Sequence, residues 1–292
     1  MVSHIRITAL VDNETHFEGP ILSENGISLL VEVPEINFSV LVDTGITGDT
    51  LINNSKVLKK DLSKVKAVFL THNHYDHTGG LIKLLDVLEE KPIIVAHPDI
   101  FSPKYAILPS LNLKILTYTG PPFSAEDVRI HGGKLLLSKS PVPVAQDIIT
   151  SGEIPRENSF EYVDGFYRVE NGSFIKDDLP DDQALIIGMD DGIVVILGCG
   201  HSGIVNTLNY VMSLTKSSKI KAVVGGLHLI DAHEERIEAT IRELKKMDIE
   251  VIAPMHCTGF KAKSRIYSEM KGQYKEVYAG DSFEIRSDQS NV

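Results

Sequence analysis

Cysteine is scarce in this sequence: Cys199 and Cys257 are the only two among 292 residues. At most one disulfide is available, which excludes a disulfide-stapled secreted scaffold, and both thiols are read as reduced. Long apolar runs are also missing. None approaches the roughly 20 residues that cross a bilayer as a helix, and the opening run MVSHIRITAL carries charge and passes at once into VDNETHFE. Neither a signal-peptide core nor a stop-transfer segment is read there, so a cytoplasmic protein without a membrane partner is the expectation. Positive charge is short as well. Lys and Arg number 29 against 40 Asp and Glu, for a formal net charge of -11. Nucleic-acid backbones are held chiefly through Lys and Arg, so no nucleic-acid partner is expected, although a local basic patch stays open. No internal repeat, heptad run or long Pro/Gly/Ser tract divides the chain. A single domain over residues 1–292 is predicted, with a homo-oligomer allowed.

What is present is ordinary for a globular protein, 42% hydrophobic and 24% charged residues. β-Branched runs come first, IRITALV, SLLVEV and FSVLVDTG, separated by turn residues such as ENG. Asp49 or Thr50 is placed to cap a helix through LINNSKVLKK, and VKAVFL then reads as a buried strand. A helix over TGGLIKLLDVLEE follows, with Leu81, Leu84, Leu85 and Leu88 on one face, and then a strand at KPIIVAH. The stretch from about Pro98 to Pro180 is irregular, with short strands expected in NLKILTYTG, GGKLLLSKSPVPV and GSFIKDD. Alternation returns with QALIIGM, GIVVILGCGHSG, the helix IVNTLNYVMSL, KAVVGG, the helix HEERIEATIRELKKM, EVIAPMHCTG and a closing helix. Strands and helices alternating in both halves predict a mixed α/β protein of stacked sheets flanked by helices.

Chemistry concentrates at the end of VKAVFL, where THNHYDHTGG places His72, His74, Asp76 and His77 within six positions. Zinc and similar divalent ions take imidazole nitrogen and carboxylate oxygen at roughly 2.0–2.2 Å, usually with three protein ligands and one open position in a catalytic site. His72 and His74, two apart on extended chain, project together. Asp76 and His77 follow as the chain bends into a helix, with Gly79 and Gly80 easing the bend. Any one of these histidines alone reads as an ordinary core or surface residue; four ligand types in six positions do not. A structural ion is the competing reading, but structural zinc favours closed, thiolate-rich shells and this cluster has no cysteine.

HNHYDH resembles the HxHxDH signature of the metallo-β-lactamase fold hydrolases, and the resemblance extends over nearly the whole chain. It implies a four-layer αββα sandwich with metals at one edge between two sheets. His72 and His74 would bind a first ion, and Asp76 and His77 a second. The stretches LVDTGITGDTLINN, HYDHTGGL, TSGEIPR, DDQALII, GCGHSGIVNTL, GGLHL and MHCTG are similar to the branch containing dihydropterin-methyl ribofuranosylaminobenzene phosphate synthases. The pattern also calls for a third histidine on the first ion, but no GHTPG-like element occurs where it normally stands; DDQALII is there instead. His201 in GCGHSG is ranked first for the missing ligand, Cys199 second, at the bridging position, and Asp182 third or as a residue supporting the ligands. For Cys199 a small buried hydrophobe is an equal reading. His256 resembles the closing histidine of the family, while Cys257 is read as packing on the opposite side.

Around this set, His228 in GGLHLID is placed to touch substrate, donate a proton or ligate, against a capping or core role. Asp43 resembles a carboxylate that orients a ligand histidine through its other nitrogen, against a turn aspartate. His4, His16, His97, His131 and His233 are read as structural or solvated. Lys104, Tyr105 and Arg156 are expected on loops that reach an anionic or aromatic substrate, Arg being suited to phosphate. Two divalent ions are implied, zinc first, with manganese and iron open to imidazole ligation. Asp76 and His228 are the candidate catalytic groups of a hydrolase or transferase acting on an anionic, phosphate-bearing or pterin-like small molecule. The alternatives are a phosphodiesterase and a catalytically silent metal- or ligand-binding regulatory protein.

Overall fold

The computed structural model describes residues 2–107 and 115–288. In chain order its strands are β1 (His4–Val11), β2 (Ser28–Val33), β3 (Phe38–Val42), β4 (Ala67–Phe69), β5 (Ile93–Ala96), β6 (Lys104–Ile107), β7 (Leu116–Tyr118), β8 (Lys134–Leu137) and β9 (Pro143–Ala145). They continue with β10 (Ile148–Thr150), β11 (Phe166–Glu170), β12 (Ser173–Lys176), β13 (Ala184–Met189), β14 (Gly192–Leu197), β15 (Lys219–Gly226), β16 (Asp248–Met255) and β17 (Ser282–Arg286). The helices are α1 (Asp49–Val57), α2 (Tyr75–Thr78), α3 (Leu81–Val87), α4 (Ala125–Ile130), α5 (Ile204–Thr215), α6 (Glu234–Leu244) and α7 (Gly259–Glu269).

The strands build a sheet of order β17-β1-β2-β3-β4-β5-β8 and a second of order β16-β15-β14-β13-β10-β9. Alternation along each strand explains how they stack. Leu29, Val31, Val40 and Val42 of the first sheet meet Val194, Ile196, Val224 and Met255 of the second in the central core. The residues between them point outward. Leu30 and Leu41 pack with Leu51, Leu81, Leu84 and Leu85 of α1 and α3, while Ile193, Val195 and Leu197 pack with α5, α6 and α7 through Leu208, Ile241 and Ile266. Both faces of both sheets are covered, so their strands read as continuous apolar runs rather than alternating ones. Each such side chain removed from water stabilises the fold by roughly 1.5–3 kcal/mol before entropy is counted. The result is the four-layer αββα sandwich.

Within the stretch expected to be irregular, β8, β9 and β10 join the first two sheets and the other strands form a third sheet, β12-β11-β6-β7. In the predicted strand NLKILTYTG, residues 112–114 lie outside the described residues and Leu116–Tyr118 is β7. This sheet overturns one reading of the sequence: Lys104 and Tyr105 open β6 rather than a loop. The cap of α1 also differs. Gly48, with φ 73°, holds the N-cap position, and Asp49 is the first helical residue, its N–H donating to Thr47 Oγ1.

The topology positions the site through one regularity. β3 and β4 run parallel, as do β14, β15 and β16, and their C-terminal ends carry Asp43, His72–His77, Cys199–His201, His228 and His256. β1 delivers Asp12 and Asn13 to the same edge. Functional groups gathered on loops at one edge of a rigid scaffold are a common arrangement for binding and catalysis.

Candidate metal centre

β4 ends at Phe69, and the next residues leave the sheet edge with Thr71, His72, Asn73 and His74 buried. His74 then opens the short helix α2, which turns Asp76 and His77 back toward the edge. Gly79 and Gly80 do not supply unusual torsions here; their φ values are −59° and −78°. Their role is close approach. A Cβ at Gly79 would stand 2.1 Å from Ile46 O, and one at Gly80 would stand 2.3 Å from Thr44 O.

Two groups of candidate ligand atoms result. In the first, His72 Nε2 lies 3.0 Å from His74 Nδ1, and His201 Nε2 lies 3.2 Å from each of them. In the second, Asp76 Oδ2 is 3.8 Å from His77 Nε2 and 3.5 Å from His256 Nε2. Cys199 lies between: its Sγ is 3.1 Å from His77 Nε2, and its ligand atom and those of His72 and His77 lie within 4.8 Å of one another. His201, from the loop after β14, thus joins His72 and His74 in the first group.

The surrounding hydrogen bonds fix which nitrogens carry lone pairs into these groups. Asp43 Oδ1 accepts from Thr71 N–H at 2.8 Å, and its Oδ2 accepts from Thr71 Oγ1 at 2.8 Å and His77 Nδ1 at 2.7 Å. His77 therefore carries its Nδ1 proton toward Asp43 and presents Nε2 to the site. Thr71 Oγ1, having donated to Asp43, accepts from His72 Nδ1 at 3.0 Å and turns His72 Nε2 inward. One carboxylate so orients a histidine from each group. His256 Nδ1 donates to Asn13 Oδ1 at 2.6 Å, and its backbone N–H donates to Asp12 Oδ1 at 2.9 Å. Asp43, His228 and His256 hold left-handed φ values of 58°, 45° and 47°. Such backbone costs on the order of 1–3 kcal/mol per residue and persists where tight surroundings enforce it, commonly at functional sites.

Burial sets the charges. It drives His72 and His201 well below the usual imidazole range, His74 down to about 4, and His256 downward. Burial would depress His77 too, but the carboxylates of Asp76 and Asp43 outweigh it and raise it to about 9. For Asp76 burial works upward, and the histidines around it, His77 foremost, bring it below the usual carboxylate range. Burial pushes the Cys199 thiol up.

These residues fit a divalent cation on their own geometry. Three neutral imidazoles meet nitrogen to nitrogen at 3.0–3.2 Å; inward N–H tautomers serve at most two of the three contacts, whereas a cation takes a lone pair from all three. Bonds of roughly 2.0–2.1 Å in a tetrahedral shell place neighbouring ligand atoms about 3.3 Å apart, close to the spacing found.

The other sequence candidates fall outside these two groups. Asp182 is buried away from the candidate ligand atoms; its Oδ2 accepts from Ser202 N–H at 2.8 Å, beside His201. Arg156 donates through Nη2 to Leu179 O and His201 O, bracing the His201 loop from the protein side. Lys104 is a correction: it is 2% exposed and inserted between Asp177 and Asp181, at 2.5 and 2.9 Å, so it does not face a substrate. Tyr105, half-buried in β6, packs edge-on against Tyr118 and Phe174 in the third sheet. His228 lies beside the first group, its ring centroid 4.1 Å from that of His201. Cys257, read from sequence as packing on the far side, instead turns toward Cys199, its Sγ 3.5 Å from Cys199 O.

Sequence reasoning missed Asp12, Asn13, Thr71 and Asp181. Asp181 Oδ2 accepts from Asn73 N–H at 3.0 Å, between His72 and His74, and Phe166 of β11 stacks on the His74 ring at 5.1 Å. Thr71 adjoins the cluster and was within reach of the motif; the others act across 100 residues or more and carry no local signal. Among the five histidines read as structural or solvated, His97 is buried against Glu153, while His4, His16 and His131 pair with Glu284, Asp281 and Asp86.

The comparisons with known proteins agree with this picture. The chain is 34% identical over 285 residues, 96% of each chain, to the 7,8-dihydropterin-6-methyl-4-(beta-D-ribofuranosyl)-aminobenzene-5'-phosphate synthase of Methanocaldococcus jannaschii. It is 32% identical over 89% of its length, and 93% of the relative's, to an uncharacterized protein of the same organism. A crystal structure described as a metal-dependent hydrolase of the beta-lactamase superfamily superposes with a TM-score of 0.81 at 28% identity, covering 97% of this chain and all of that one. The family model of the metallo-beta-lactamase superfamily matches residues 26–256, and the chain belongs to that superfamily.

Proposed function

We propose that this chain is a metal-dependent enzyme with a dinuclear centre, acting on a phosphate-bearing, pterin-like small molecule in the synthase reaction named for its relative. The observation that carries the reading is the pair of adjoining ligand groups joined at Cys199, together with the extent of the match to that synthase. His72, His74 and His201 would hold one ion, and Asp76, His77 and His256 the other, with Cys199 between them. Bound there, divalent ions stabilise negative charge developing on a phosphoryl or leaving oxygen and lower the pKa of bound water toward about 7.

The relative's name implies a bond between a dihydropterin methyl carbon and an aminobenzene group. For such a condensation the chain must orient two flat partners and hold a proton near the reacting atoms. His228 reaches the edge of the first group with Nδ1 free of any hydrogen-bond partner among the described residues, and is placed to take that proton. Phe166 covers the first group from the third sheet, its ring close to those of His74, His201 and His228. It forms a wall that excludes water and offers an aromatic face.

A hydrolytic reading has its own support in the crystal structure described as a metal-dependent hydrolase. One experiment separates the two. Protein purified without chelators is analysed for metal, then assayed for condensation of a dihydropterin bearing an activated methyl group with an aminobenzene ribosyl phosphate, and for hydrolysis of a phosphodiester. Condensation that disappears on chelation and in Asp76→Asn supports the synthase. Metal-dependent hydrolysis alone replaces it with the hydrolase, and neither activity from a metal-loaded chain refutes both.

A further inference from the structure

The two cysteines lie 58 residues apart in sequence, and the fold brings both to one place. Cys199 follows β14, His228 follows β15 and Cys257 follows β16, three neighbouring parallel strands. The two sulfurs and a ring nitrogen of His228 lie within 4.8 Å of one another. The loops that carry them are laced together: Gly226 N–H donates to Gly198 O at 2.8 Å, and Leu229 and Ile230 N–H donate to Cys257 O at 3.2 and 3.1 Å.

Glycine at 226 is required for this approach. A Cβ there would stand 2.5 Å from Gly198 O, 2.7 Å from Cys257 Sγ and 3.1 Å from Cys199 Cα. A side chain of any kind would wedge the two cysteine loops apart. His228 meanwhile is held in left-handed backbone, uncommon for a residue other than glycine, and its buried Nδ1 has no hydrogen-bond partner among the described residues. Two thiols and an imidazole therefore converge beside the nitrogen- and oxygen-rich groups; the reaction proposed above uses Cys199 and His228 but not Cys257, and an ion held here would take the place of the proton on His228.

We propose that Cys199, His228 and Cys257 form a third cation position, selective for a thiophilic closed-shell ion such as zinc or cadmium. Thiolate sulfur discriminates in favour of such ions, whereas carboxylate and water suit manganese and magnesium. As the two metal–sulfur bonds form, the two thiol protons pass to solvent, and no oxidant or reductant takes part. Cys199 is shared: its sulfur also faces His77 at 3.1 Å, so an ion held here is coupled to the second group. In that respect the inference rests on the dinuclear reading.

The test titrates the full-length apo protein with cadmium and, separately, with manganese, reading ions per chain by native mass spectrometry and cadmium–thiolate charge transfer by ultraviolet absorption. About three cadmium ions but about two manganese ions are expected on the unaltered chain, because only the third position draws two of its three protein ligands from sulfur. Cys257→Ser should bind about two cadmium ions and lose about half of the thiolate band. Cadmium uptake that stops at two ions on the unaltered chain overturns the third position and leaves the dinuclear centre intact. Fewer than two cadmium ions overturns the dinuclear reading instead. The manganese arm needs no variant, so a Cys257→Ser protein that fails to fold does not blunt the test.

Discussion

Replacing Asp43 by asparagine should weaken both ions, although Asp43 belongs to neither ligand group. Its two oxygens accept three hydrogen bonds, from Thr71 N–H, Thr71 Oγ1 and His77 Nδ1, and asparagine offers one acceptor oxygen and two donors. The Thr71 N–H is fixed in the backbone, whereas the hydroxyl rotates and the imidazole changes tautomer. The amide oxygen therefore goes to Thr71 N–H, and the amide NH2 faces His77 and the hydroxyl. His77 must then accept at Nδ1 and carry its proton on Nε2, pointing into the site. Thr71 Oγ1, no longer donating to Asp43, turns its hydrogen toward His72 Nδ1 and imposes the same inversion on the first group. Loss of a partner that orients a ligand costs about 10–100-fold in metal affinity, or about 1.4–2.7 kcal/mol per ion. The assay is zinc titration against a competing chelator, with nitrogen-15 histidine spectra reporting the tautomers of His72 and His77. If folded Asp43→Asn binds both ions within about twofold of the parent chain, the orientation argument is refuted.

Acidity should separate the two ions, because His77 must lose a proton that it holds to about pH 9, while the first three imidazoles are neutral at pH 7. Affinity at the second group should climb about tenfold per pH unit between 6.5 and 9, and more steeply if the Cys199 thiol also ionises; calorimetry showing a flat response would count against it. The same shift bears on stability of the apo protein. His77 is raised from 6.5 to about 9 on folding, so its contribution, about 3 kcal/mol, is fully present below pH 6.5 and lost as pH rises through 9, to be read by urea unfolding at the two extremes. Lys104→Met should destabilise the chain by about 3–5 kcal/mol, since it leaves buried Asp181 without its cation and buried Asp177 with only Arg168 at 3.7 Å; a loss under about 1 kcal/mol in urea would contradict that. Gly80→Ala should cost about 1–3 kcal/mol and reduce metal retention, because the new methyl meets backbone at Thr44 and Gly48 rather than a side chain that can move. Thermal melts with and without zinc test it.

The sequence alone determined the kind of protein and the seat of its chemistry. Period and run length announced sheets covered on both faces, because a strand buried on two sides must be apolar throughout, and that pattern is local. HNHYDH announced a metal site because four donors in six positions converge through local geometry alone. The choice of His201 for the missing histidine rested on resemblance, and only the fold showed its nitrogen meeting His72 and His74. What the tertiary structure decided were relations between strand ends: Asp43 against His77 across 34 residues, Asn13 against His256 across 243, and Asp181 against Asn73 across 108. It also decided the charged residues of the middle segment. Lys104 read as a loop cation because it follows Pro103 in an irregular stretch that holds most of the prolines, yet β6 carries it inward to two buried carboxylates. Cys257 was misread for a related reason. Strand alternation places it opposite His256, but the strand ends at Met255, and the left-handed φ of His256 turns the following side chain back toward Cys199. Local patterns report the solvent exposure and period of one element, whereas a site built from five or six strand ends depends on how those ends are stacked, and packing of the two sheets settles that.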